Sequence, residues 1–109
     1  MAEKPIITLL SETSHAIEKY KKQLPGCTVN TMSLDQYVQT PVPSDVLIVD
    51  VDQYPHSREF IKQQSVPVFA STYTGFYGEN LEEKGIFGCL HPNTVSIDQV
   101  RKYFYPRNL

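Results

Sequence analysis

Asp50 is the residue of this chain best placed to do chemistry. It ends the run Val46-Leu47-Ile48-Val49, four apolar residues of which three are β-branched, and Pro55 follows five positions later. A run that short and apolar, bounded by polar residues, reads as a strand buried on both faces, as in parallel sheets. Open α/β sheets bind ligands beyond the carboxyl ends of such strands, so Asp50 is delivered to the functional edge. An ionised carboxylate beside a core needs a partner. Asp50 is therefore either a working acid or an acceptor for amides at a helix start. Three other strand ends bring polar groups to the same edge: Glu12, Thr72, and His91 with Pro92 after it. Each has a plainer reading when taken alone. Glu12 is then a solvated loop acid, Thr72 a strand residue with a locally bonded hydroxyl, and His91 a structural histidine before proline.

The elements that must position these residues follow from periodicity. Ile6-Ile7-Thr8-Leu9-Leu10 reads as a first strand. The spacing of Ile17, Tyr20 and Leu24 predicts a helix over 14–24, with Lys19, Lys21 and Lys22 on its wet side and Pro25-Gly26 as its stop. Val29 and Met32 bracket a second strand. Ser33-Leu34-Asp35-Gln36 has capping-box form, opening a short helix that Pro41 and Pro43 terminate. After Asp50, a third helix is expected over 56–64 with Phe60 and Ile61 inward, then a fourth strand over 67–72. Asn80-Leu81-Glu82-Glu83 opens a brief fourth helix ending near Gly85, and residues 86–90 form the fifth strand. Ser96-Ile97-Asp98-Gln99 then caps a last helix carrying Ile97, Val100 and Phe104. Alternation of strand and helix implies an α/β three-layer sandwich: a parallel five-stranded sheet with helices on both faces. Right-handed crossovers leave the flavodoxin-like strand order 2-1-3-4-5 foremost.

Size and composition bound the function. A chain of 109 residues suits a single domain spanning 1–109, and 40% hydrophobic with 20% charged residues is ordinary for a globular protein. A net charge of −2 supplies no basic footprint for nucleic acid. No apolar run reaches membrane-spanning length, and Met1-Ala2-Glu3-Lys4-Pro5 lacks the apolar segment of a signal peptide, which points to the cytoplasm. Cys27 and Cys89 have no metal-ligand spacing and read as small buried thiols of a reducing compartment.

Taken together, the four strand ends resemble the receiver domain of bacterial response regulators, over nearly the whole chain. The segment from Asp45 to Pro55 is similar to the family's stretch in which a strand delivers the phospho-accepting aspartate and a proline follows. Pro67 to Thr72 resembles the fourth strand, which ends in a hydroxyl residue that contacts the phosphoryl group. Gly85 to Pro92 resembles the fifth-strand motif, with proline after the key basic position. The resemblance implies Asp50 as phospho-acceptor, assisted by Thr72 and by whatever stands at His91. It also implies a magnesium site made from Glu12, Asp50 and the backbone carbonyl of Asp52.

Two departures weaken that implied chemistry. Receivers carry two adjacent acids after the first strand, and this chain has Ser11-Glu12, so a magnesium site would hold one charge fewer. The family's lysine matches His91, which is shorter and carries a pH-dependent charge. Phosphoryl transfer depends on positioning and on neutralising the charge spread over the transferring oxygens. Losing one preorganised contact of that kind costs about 3 kcal/mol, a hundredfold or more in rate. The position of the family's rotating aromatic falls on Gly88 or Cys89, with Phe87 one residue away.

The expectation is an atypical receiver, or pseudo-receiver: a non-enzymatic signalling module with weak or absent phosphorylation at Asp50 and weak or absent magnesium. Such a module works through protein–protein contact. Tyr73, Phe76, Tyr77, Tyr103, Phe104 and Tyr105 concentrate near the face formed by the fourth helix, fifth strand and fifth helix, where receivers dimerise or dock partners. Some of these rings equally serve to complete the core. One alternative is a phosphorylatable, magnesium-dependent receiver that tolerates both substitutions. Another is a flavodoxin-like ligand-binding protein or enzyme, against which stands the lack of a glycine-rich loop in Ser11-Glu12-Thr13-Ser14.

Overall fold

The computed structural model describes residues 4–74 and 85–104. The apolar runs form five parallel strands: β1 (Ile6–Leu10), β2 (Thr28–Met32), β3 (Val46–Asp50), β4 (Val68–Ser71) and β5 (Gly88–Leu90). They make one sheet in the order β2-β1-β3-β4-β5, as the crossover rule predicts. Among the described residues, three α-helices lie between them: α1 (Ser14–Gln23), α2 (Leu34–Gln39) and α3 (Arg58–Lys62).

Every residue of β3 is buried, including Asp50 at 6% exposure. Alternation along the strand divides its side chains between two cores, because successive Cβ atoms point to opposite faces. Val46 and Ile48 join Ile7, Leu9 and Phe69 under α1, where Ala16, Tyr20 and Leu24 complete the layer. Leu47 and Val49 join Leu10, Val68 and Ala70 on the other face, covered by Tyr37 of α2 and Ile61 of α3. Those two layers on one sheet make the expected sandwich.

Local signals explain most boundaries. Ser33 and Gln36 form the capping box: the Gln36 amide donates to Ser33 Oγ at 3.1 Å and the Ser33 amide donates to Gln36 Oε1 at 3.0 Å. At the entry to β3, the Ile6 amide donates to Asp45 Oδ2 at 2.7 Å and the Asp45 amide to the Ile6 carbonyl at 2.8 Å, which fixes β3 against β1.

Three expectations change. The third helix covers only Arg58–Lys62, held between a turn through Pro55 and the bend before Pro67. The fifth strand begins at Gly88, and Ile86 and Phe87 lead into it. The last helix is two 3-10 pieces, Ile97–Gln99 and Arg101–Phe104, separated at Val100, whose φ of −119° leaves helical geometry. Val100, at the junction, and Phe104, in the second piece, still reach the core under α1, so burial is met without a continuous α-helix. The expected helix opening at Asn80, along with Phe76, Tyr77 and Tyr105, lies outside the described residues. Gly85 has φ +77°, a left-handed conformation that glycine adopts without a steric penalty.

Candidate functional site

Strand register builds the site. Leu10 pairs with Val49, so the next residues, Ser11 and Asp50, meet at the carboxyl edge. Asp50 in turn pairs with Ser71, which sets Thr72 one step further along. Ser11, read from the sequence as a missing acid, is buried and donates its hydroxyl to Asp50 Oδ2 at 2.7 Å. The Gln53 amide donates to Asp50 Oδ1 at 3.1 Å. Among the described residues no cationic side chain pairs with Asp50. A buried carboxylate is thus satisfied by one hydroxyl and one backbone amide, bonds to a charged group being worth about 1.5–3 kcal/mol each.

Glu12 stands outside that pocket. Its backbone amide donates to Gln53 Oε1 at 2.8 Å, while its Oε2 accepts from Gln53 Nε2 at 2.8 Å and from the Tyr54 hydroxyl at 3.1 Å. The acid therefore ties the loop after β1 to the turn after β3. Burial, first, and the Glu12 contact both push the Tyr54 phenol above its ordinary range. Asp52 makes the matching brace on the other side: its carboxylate accepts from Thr72 Oγ1 at 2.8 Å and from the Tyr73 amide at 2.9 Å.

A third tier lies beneath Asp50. The buried Tyr20 hydroxyl donates to Ser71 Oγ at 2.8 Å, and burial, with the nearby Asp50 charge adding to it, raises that phenol far above its ordinary range.

His91 meets Tyr73, with ring centroids 5.1 Å apart and planes at 85°, and its Nδ1 accepts the Asn93 amide at 3.0 Å. His15 also stacks on Tyr73 at 6.0 Å, and its Nδ1 lies 2.6 Å from the phenol oxygen. Partial burial, followed by the carboxylates of Asp50 and Asp52, pushes the Tyr73 phenol above its ordinary range.

The predicted residues are thus gathered at one edge in separate contacts. Thr72 bonds Asp52, Glu12 bonds Gln53 and Tyr54, and His91 contacts Tyr73. A magnesium ion needs several oxygens aimed at one point in near-octahedral geometry. Here the Glu12 and Asp50 carboxylates named for that role already accept hydrogen bonds from the chain, and Ser11 supplies a donor where a second acid would supply a ligand. The donor set as folded fits magnesium poorly. Among the described residues no three His, Cys, Asp or Glu side chains come together as a metal site.

Sequence reasoning missed four participants: Gln53, Tyr54, Tyr20 and His15. Gln53 had a signal, since an acid three residues before an amide is the spacing of a side-chain cap. The other three had none, because their partners come from distant elements. The uncertain aromatic position is also explained. A Cβ on Gly88 would sit 3.1 Å from the Phe69 ring, so that inward position is filled from the neighbouring strand. Phe87 points outward, 54% exposed, edge-on to Tyr103 at 5.3 Å. Cys27 and Cys89 are half-buried and not joined by a disulfide. Among the described residues no helix is long and apolar enough to cross a membrane.

No family model and no curated protein matches the sequence. Among solved structures, the chain is similar to a response regulator receiver protein from Burkholderia phymatum, with a TM-score of 0.63 and 21% identity over 97% of both chains. The chain has the receiver fold, a flavodoxin-like sheet of order 2-1-3-4-5 with helices on both faces.

Proposed function

We propose that this chain is an atypical receiver domain of bacterial two-component-type signalling, a cytoplasmic and non-enzymatic module that works through protein–protein contact. The observation that carries this reading is the Ser11–Asp50–Gln53 arrangement on a receiver fold. A hydroxyl and an amide each take an acceptor site on the two carboxylate oxygens that a working receiver offers to magnesium and phosphate. With no second acid and with His91 turned to Tyr73, a transferring phosphoryl group would find little preorganised positive charge. Phosphorylation at Asp50 and magnesium binding are accordingly weak or absent.

Signalling then rests on surface recognition. A shallow recess lined by Gly85, Ile86, Phe87 and Tyr103 supports the β5 side as the docking or dimerising face. Lys102 Nζ lies 5.2 Å from the Tyr103 ring, and Phe69 packs edge-on to the same ring at 5.2 Å. Exposed aromatic area with a nearby cation is the composition of protein interfaces. The partner is a signalling protein or a second copy of the chain. Neither nucleic acid nor membrane is part of this reading.

The test is a backbone amide NMR titration with magnesium and beryllofluoride or acetyl phosphate. An unresponsive spectrum is expected. Saturable shifts centred on Asp50 and Thr72 that vanish in Asp50→Asn would overturn the reading in favour of a phosphorylatable, magnesium-dependent receiver.

A further inference from the structure

Three elements meet at Tyr73 through two imidazoles: His15 from the first turn of α1, Tyr73 from the segment after β4, and His91 from the segment after β5. The two histidines use the same atom in chemically different ways. His91 Nδ1 accepts the Asn93 amide at 3.0 Å, so the ring must hold its proton on Nε2 in that arrangement. His15 Nδ1 faces the Tyr73 phenol at 2.6 Å, and a phenol can either donate or accept. Protonating both rings therefore has unequal results. At His91 two N–H groups would point at each other, and the Asn93 contact must break. At His15 the hydrogen bond reverses direction and survives.

We propose that this cluster is a pH-responsive edge, in which protonation of His91 releases the Asn93 amide and turns the ring against Tyr73 while the His15–Tyr73 pair persists. Histidine is the side chain whose ordinary change of charge falls between about pH 5 and 8. The other groups that face the cluster are the Asp52 carboxylate, which holds the Tyr73 amide, and Asp50, whose charge reaches the Tyr73 phenol. The backbone turn is retained, because the Thr94 and Val95 amides both donate to the His91 carbonyl and Gln23 Nε2 donates to the Pro92 carbonyl. What changes is local: the setting of Tyr73, which is 41% exposed at the mouth of the site. A partner that reads Tyr73 would bind differently on the two sides of the transition.

The experiment is an NMR titration of the full chain from about pH 8 to pH 5, following the Asn93 amide, the Tyr73 ring and the ring protons of both histidines. The Asn93 amide is expected to shift with the same midpoint as the His91 ring, and to lose that inflection in His91→Asn. His15→Gln is expected to remove the His15 component at Tyr73 and leave the Asn93 inflection in place. An Asn93 amide that stays still while His91 protonates in the unaltered chain overturns the proposal, as does an inflection that persists in His91→Asn. These readouts do not involve phosphate or magnesium, so their failure is separate from failure of the signalling reading.

Discussion

Over β1 and β3, the functional edge of the sheet is built from carboxylates whose hydrogen bonds come from the chain itself. Over β4 and β5, it is built from rings with exposed faces. Asp50 is buried and bonded to Ser11 and Gln53, and Glu12 and Asp52 brace the loops on either side. Tyr73, by contrast, is 41% exposed with its ring against those of His15 and His91, while Phe87, 54% exposed, leads into the amino end of β5 against the Tyr103 ring. The difference teaches where each kind of change acts. A ligand for Asp50 shares its oxygens with contacts that hold the edge together, whereas a partner at the aromatic side removes apolar surface from water.

The largest expected effect comes from converting the first region into the chemistry it lacks. Ser11→Asp combined with His91→Lys is expected to make beryllofluoride binding magnesium-dependent and about a hundredfold or more tighter than in the unaltered chain, read by amide shifts at Thr72. No response in that double variant would show that something other than missing charge limits the site. Next in size, Ser11→Ala removes a donor from a buried carboxylate and is expected to lower stability by about 2 kcal/mol in urea unfolding. An unchanged midpoint would mean that Asp50 finds another partner without penalty.

Tyr20→Phe is expected to cost about 1 kcal/mol at neutral pH, for the lost bond to Ser71. Its sharper signature is in alkali. The folded phenol titrates well above its unfolded value of about 10, so its contribution is complete below that pH and is lost as pH rises beyond it. The phenylalanine variant should lack that alkaline loss. Smallest of all, Phe87→Ala should leave the urea midpoint within about 0.5 kcal/mol, because its ring is largely exposed. The same change should weaken self-association or partner capture if the β5 side is the docking face. A large loss of stability there would break the contrast between the two regions.

The strand order and the position of Asp50 were legible because each rests on a local pattern. Val46 to Val49 read as a strand buried on both faces, the kind parallel sheets contain, and capping residues marked the start of α2. Glu12, Asp52 and Thr72 were correctly drawn to one edge, since any residue just past a parallel strand arrives there. Their pairings were not legible. Thr72 bonds the Asp52 side chain, a residue considered only for its backbone carbonyl, and Glu12 turns outward to Gln53 and Tyr54. A hydrogen bond depends on a few tenths of an ångström and on which loop crosses which, information that no spacing carries. The last helix failed for a related reason. A three-and-four spacing shows which residues must be buried, and two 3-10 turns bury Val100 and Phe104 as well as one α-helix would.

The sequence by itself determined the sheet, its order and the arrival of a carboxylate at its carboxyl edge, because the periods of burial in strands and helices are fixed by backbone geometry. It also determined that an acid and a lysine expected of a receiver are absent, since residue type alone settles that. Only the tertiary structure decided what takes their place. Register sets Ser11 against Asp50, chain crossing sets Glu12 on Gln53, and the convergence of α1, β4 and β5 sets two imidazoles around Tyr73. Those contacts join residues distant in the chain, and they exist only once the layers have packed.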